Sequence, residues 1–263
     1  MNPRGLRPHT HAERMAAAHG LVPLLRDRFG DGLRAVALSG SLARGEDRAF
    51  SDVEMVVFLR DPPAPGEDAY LQRVVDAMLV EAEYLTEEAY VARRAAVGPD
   101  WYLAASDHLL ALYGADVVER IMERVRALRP AREAFLRRAA RRFLEVQESF
   151  GKVLGAIGAG DREAVGLLLW DGVHHLLVTL SFLNEQPFTT FARFIPEARS
   201  FARAPPGLNA LLDRVAEGRF NETDGLRDLL MTVFAGMEAM FGAEGVALYD
   251  ASLDPAVPNR LRP

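Results

Sequence analysis

Two acids, Asp52 and Glu54, stand one residue apart in the apolar run "DVEMVVFL". Side chains of an extended strand alternate between faces, so both carboxylates share one side while Val53 and Met55 take the other. Carboxylates held side by side repel each other unless a cation lies between them. A hard divalent ion such as Mg²⁺ takes oxygen ligands and keeps water or phosphate oxygens in the rest of its shell. Just upstream, "VALSGSLARG" leads from an apolar strand into Gly40 and Ser41. A turn that opens a short helix there would offer free backbone N–H groups and the Ser41 hydroxyl to a phosphate. Arg44, one turn further on, would add a charge-assisted contact. Together these parts describe a site for a metal-bound nucleoside triphosphate. A later acidic strand, "VEAEYL", presents Glu81 and Glu83 on one face. Solvated strand acids and Gly-Ser turns are each common. Their order along the chain is what carries the reading.

Further on, "AREAFLRRAARRFLEVQESFGKVLGAI" is one long helical pattern. Glu145, Glu148 and Lys152 fall along one face of it. Taken alone, Glu148 and Lys152 read as an ordinary ion pair one turn apart, worth about 0.2–0.5 kcal/mol. His174 and His175 are adjacent on a helix and cannot both face one ligand, so packing is the reading for them. Arg137, Arg138, Arg141 and Arg142 read as a solvated helix face, and Trp101 as a packing or interface residue. Thr189 and Thr190 stand open between nucleotide contact and helix capping.

The segment "GSLARGEDRAFSDVEM" resembles the signature of the DNA polymerase β-type nucleotidyltransferases. More narrowly it is similar to the kanamycin nucleotidyltransferases, the family of aminoglycoside 4′-O-adenylyltransferases. Glu54 takes the second acid position, where the superfamily commonly has aspartate. "VEAEYLTEE" resembles the family's third-carboxylate strand, "LEVQESFGK" its helical segment with a glutamate and a lysine, and "PFTTFARFIPEA" a threonine-bearing segment. The resemblance runs from about residue 10 to residue 250. It implies Asp52, Glu54 and Glu81 as ligands of Mg²⁺ (two ions), and Gly40, Ser41, Arg44 and Thr189 as nucleotide contacts. It implies Glu148 as the general base, Lys152 at the α-phosphate, and Glu145 on an amino group of the acceptor. The implied reaction moves AMP from ATP to a hydroxyl of an aminoglycoside, the 4′ one, in a homodimer whose subunits share active sites.

The 263 residues carry a net charge of −6 and no cysteine. Disulfides and thiolate metal sites are thereby excluded. An acidic balance disfavours nucleic-acid partners and suits a cationic or metal-bridged ligand. The opening "MNPRGLRPHTHAERM" lacks the apolar core of a secretory signal. The apolar runs "VGLLLW" and "LLVTLSFL" are short of a bilayer span. A cytoplasmic protein with no membrane partner is the expectation.

Thr10 and Glu13 form a capping-box pattern ahead of a helix toward Phe29, in which Pro23 is a candidate break or kink. "AVALS" and "DVEMVVFL" read as strands, "AYLQRVVDAML" as a helix, and "VEAEYL" and "DHLLALYG" as strands. A helix follows around residues 115–127. After Pro130 only helical patterns remain, including "REAVGLLLWDGVHHLLVTLSFLN", "GLNALLDRVAEG" and "ETDGLRDLLMTVFAGMEAMFG". The expected class is α+β: a nucleotidyltransferase-type mixed sheet with helices over residues 1–128, then an all-helical bundle over 129–263. Two other functions fit the residues less fully. One is a transferase of the same fold with a different small acceptor, and the other a catalytically silent nucleotide-binding or antitoxin-like module.

Overall fold

The computed structural model describes residues 5–64, 66–106 and 108–250. It is α+β, and the chain divides into two compact units. The first comprises residues through Ala131 together with Pro187–Phe191. The second comprises Arg132–Gln186 and the residues from Ala192 on.

The first unit opens with α1 (His11–Phe29). The Thr10 hydroxyl accepts from the Glu13 N–H, and the Glu13 carboxylate accepts from the Thr10 N–H, so two orphan donors of the first turn are satisfied. The helix runs on through Pro23 without a break in its assignment. There follow β1 (Leu33–Leu38), α2 (Gly40–Ala43), β2 (Val53–Leu59), β3 (Tyr70–Val75), β4 (Met78–Thr86), α3 (Glu87–Ala95), β5 (Leu110–Tyr113) and α4 (Ala115–Arg126). The strands form one mixed sheet in the order β3-β4-β2-β1-β5. Only β2 and β4 are parallel; the other neighbours are antiparallel.

Central strand β2 is apolar on both sides because both faces of the sheet are covered. Val53, Met55 and Val57 join Ala18 and Leu25 of α1 on one face. On the other, Val56 and Phe58 pack with Tyr90 and Val91 of α3 and with Val117, Val118 and Ile121 of α4. Asp52 and Glu54 share this second face with Val56 and Phe58 by strand alternation.

One expectation is overturned. The stretch "AYLQRVVDAML" has helical spacing but forms a hairpin, with β3 pairing antiparallel to β4 from Tyr70↔Glu83 to Val75↔Met78. Asp76 and Ala77 turn it with φ of 50° and 64°, the left-handed region that a tight two-residue hairpin turn requires at both central positions. Val74 and Val75 are β-branched and sit 60% and 57% exposed on an edge strand. An edge strand covered on neither side has no burial pattern to impose period two, so its spacing imitates a helix. α3, directly after β4, is an element for which the sequence reading has no counterpart.

The second unit contains α5 (Arg132–Ala159), α6 (Arg162–Asn184), α7 (Phe194–Ala198), α8 (Leu208–Ala216) and α9 (Leu226–Ala243). α5 and α6 pack closely at Gly172, where a Cβ would lie 2.8 Å from the Phe150 ring. Phe143 of α5 stacks on Phe234 of α9 at 4.8 Å between ring centroids, with Phe241 5.2 Å away. By length and composition alone α6 is apolar enough to cross a bilayer, but 61% of its most apolar stretch is buried within the protein. Val165, Leu169, Val173, Leu176 and Leu180 all face the interior, so it is a core helix.

Candidate active site

The register of the sheet aligns the acids. In the parallel pair Glu54 stands opposite Glu81, and in the antiparallel pair Glu81 stands opposite Gln72. Directly paired residues share a face, so Gln72, Glu81 and Glu54 form one row across three strands. Asp52, just before β2, extends the acidic side of that row. Burial pushes the Glu54 carboxyl up to about 7, helped by the charges of Asp52 and Glu81 and opposed by Arg44. Asp52 is raised by burial and by Glu81, against its own backbone hydrogen bond and Arg14. Asp52 and Glu54 thus both sense the charge of Glu81, and all three are half-buried.

Ahead of the acids, β1 is followed by Ser39, whose N–H donates to the Glu54 carbonyl at 2.9 Å. Gly40 follows with φ of +64°, and a Cβ built on it would lie 1.4 Å from Glu54 Oε2. Both the backbone and the contact demand glycine here. Ser41 lies in the first turn of α2 and is half-buried. Arg44 caps the end of α2, its side chain only 12% exposed, and its Nε donates to Glu46 at 2.9 Å. The loop from Gly45 to Asp52 is fastened at Asp47. There Arg14 donates through Nε and Nη2 at 2.8 and 2.5 Å, and His11 Nδ1 lies 2.6 Å away. Arg14 and Asp47 side chains are each 2% exposed. Burial raises the Asp47 carboxyl, but the His11 and Arg14 hydrogen bonds and charge outweigh it and hold the group below its ordinary value.

The two acids of β4 have different company. Glu83 is ion-paired with the Arg93 guanidinium. Glu81 accepts instead from the Tyr70 hydroxyl at 2.6 Å and the Gln72 amide at 2.5 Å, one on each oxygen. Burial and the neighbouring Glu81 push the Tyr70 phenol up to about 12, so it remains a donor. A cavity of about 360 Å³ opens beside Gly40 and Glu54, walled by Tyr90, Arg93, Arg94 and Trp101. Both guanidinium groups lie over the Tyr90 ring, at 5.6 and 5.2 Å. Trp101, read from the sequence as a packing or interface residue, is part of this wall. Asp52 and Glu81 do not line the cavity.

The donor chemistry fits a hard divalent cation: three neighbouring carboxylates, two of which burial and mutual repulsion drive toward protonation. As they lie, no group of three or more His, Asp or Glu side chains among the described residues is close enough to hold a metal.

Thr189 belongs to the first unit, within the Pro187–Phe191 segment whose Phe188 N–H donates to the Tyr102 carbonyl at 2.6 Å. The second unit carries the remaining candidates on α5. Lys152 Nζ donates to Glu148 Oε1 at 2.6 Å, and both side chains are more than half exposed. That hydrogen bond and charge, with smaller help from Asp171 and Glu145, hold the lysine's pKa up. Glu145 is exposed one turn before Glu148. Behind them the Ser149 hydroxyl donates to Asp171 at 2.5 Å, and His175 Nε2 lies 3.4 Å from the other Asp171 oxygen. The two histidines part, as their adjacency requires: His174 stacks near Phe194 at 5.9 Å while His175 meets Asp171.

The first unit thus bears an acidic row behind a Gly-Ser turn on a mixed sheet, and the second unit is helical. Residues 121–247 match the family model KNTase C-terminal domain. It is 24% identical over 246 residues to an aminoglycoside nucleotidyltransferase (4') of Staphylococcus aureus, covering 87% of this chain and 90% of that one. A Bacillus sp. protein of the same name is 22% identical over 243 residues, with 87% and 90% covered. Among solved structures, a nucleotidyltransferase-like protein from Exiguobacterium sibiricum is 14% identical. Its TM-score is 0.48, with 88% of this chain and 75% of that chain covered.

Proposed function

We propose that the chain transfers AMP from ATP to a hydroxyl of an aminoglycoside, the 4′ one, releasing pyrophosphate. The observation that carries this reading is the row of Asp52, Glu54 and Glu81 beside the Gly40–Ser41 turn, and the names of the relatives support it. Asp52, Glu54 and Glu81 would hold Mg²⁺, as two ions, which when bound would neutralise charge on the phosphates and align the entering and leaving oxygens. Ser41, the α2 backbone, Arg44 and Thr189 hold the nucleotide. Glu148 takes the acceptor's hydroxyl proton as that oxygen bonds to the α-phosphorus and the bond to the pyrophosphate oxygen breaks. Lys152 offsets negative charge on the α-phosphate, and Glu145 pairs with an ammonium group of the acceptor. The working form in this reading is a cytoplasmic homodimer with shared active sites and no nucleic-acid or membrane partner.

The test is direct. Wild-type chain and Asp52→Asn are incubated with ATP, Mg²⁺ and kanamycin, and the drug's mass is read. One adenylyl group added by the wild type and none by the variant is the expected result. Transfer only to an acceptor of another class would keep the reaction and discard the aminoglycoside. No transfer to any acceptor in a broad panel would discard the enzyme.

A further inference from the structure

Glu81 and Glu83 lie on one face of one strand, yet the structure treats their charges oppositely. Glu83 is neutralised by the guanidinium of Arg93. Glu81 is held at both oxygens by neutral donors, the Tyr70 hydroxyl and the Gln72 amide, which are themselves joined at 3.0 Å. A neutral donor fixes a carboxylate's orientation and favours its ionised form without cancelling the charge, whereas a guanidinium fixes and cancels together. Gln72 is the direct cross-strand partner of Glu81, in the same row as Glu54. Tyr70 approaches from the next position on that face of β3. Neither side chain serves the core: the Tyr70 residue is 50% exposed and Gln72 is exposed too. Two exposed groups that converge on a single anion have no packing role to explain them.

We infer that Tyr70 and Gln72 are positioning residues that hold the Glu81 carboxylate in one orientation while leaving its full charge available to a divalent cation. The inference rests on the proposed role of Asp52, Glu54 and Glu81. It explains why Glu81, and not Glu83, is the third acid of the site. Outer partners of this kind are worth about 10–100-fold in metal affinity or activity where they have been removed from other sites.

The experiment compares wild type, Tyr70→Phe/Gln72→Met, Arg93→Met and Asp52→Asn as full chains without nucleotide. Mn²⁺ binding is followed by water-proton relaxation, and each melting temperature is recorded. Wild-type binding that Asp52→Asn abolishes establishes the acidic row independently of the clamp. The double variant should then bind Mn²⁺ about 10–100-fold more weakly at an unchanged melting temperature. Its kcat should fall more than its KM for ATP. Arg93→Met should leave Mn²⁺ affinity near wild type. Wild-type Mn²⁺ affinity in the double variant would overturn the clamp and leave the proposed site standing. No Mn²⁺ binding by the wild type would overturn both.

Discussion

Glu54 is where the acidic row meets water-poor surroundings, and its raised carboxyl has a thermodynamic consequence. A carboxyl whose folded pKa is about 7 against an ordinary value of 4.5 binds its proton more tightly in the folded chain. It therefore contributes stability that is complete below the unfolded value and lost as pH rises through about 7. The metal-free chain should melt at progressively lower temperature between those values, and Glu54→Gln should flatten the decline and melt higher at pH 8. Parallel decline in both proteins would deny Glu54 this role. Asp52, Glu54 and Gly40 were legible from the sequence because alternation and a glycine turn are local properties of the chain. The hydrogen bonds on Glu81 were not, since Tyr70 and Gln72 lie in a stretch whose spacing imitates a helix. Nor was Asp47 legible as an anchor: its guanidinium partner is 33 residues away, and local periodicity carries no record of such pairings.

At the scale of elements, the fastening of the Gly45–Asp52 loop to α1 is open to test. Arg14 and Asp47 are each 2% exposed, so removing one charge strands the other in the interior. Arg14→Leu should cost about 3–5 kcal/mol of stability, read by denaturant unfolding. A loss below about 1 kcal/mol would mean that water reaches the pair and screens it as at a surface. The long helix α5 poses a different question, because an exposed Glu148–Lys152 pair is also what a purely solvated face would show. Glu148→Gln keeps shape and should lower kcat by roughly 10²–10⁴ with little change in KM if the carboxylate takes the proton. Normal kcat with a raised KM would move Glu148 to acceptor binding. Helices α5, α6 and α8 were legible nearly to their ends, because their apolar faces repeat over successive turns, whereas the short α7 was not read and α9 starts four residues after the expected Glu222. The return of Pro187–Phe191 to the first unit was hidden, since a short loop segment carries no periodicity at all.

For the molecule as a whole, a net charge of −6 gives the proposed acceptor a long-range reason to approach. Kanamycin binding measured by calorimetry should weaken as ionic strength rises, as screening shortens the reach of that field. Salt-independent binding would assign recognition to uncharged contacts. The mixed sheet has a further consequence, in the order of its assembly. β3 and β4 are neighbours in sequence, and hairpins of this kind close in about 1–10 μs. The parallel β2–β4 pairing must instead wait for the chain between them to loop back, a slower search. Tyr70, Gln72 and Glu81 all lie within the hairpin, so their hydrogen bonds belong to the fast local stage. Glu81 therefore carries its hydrogen bonds with it when β4 comes to stand beside β2 and opposite Glu54.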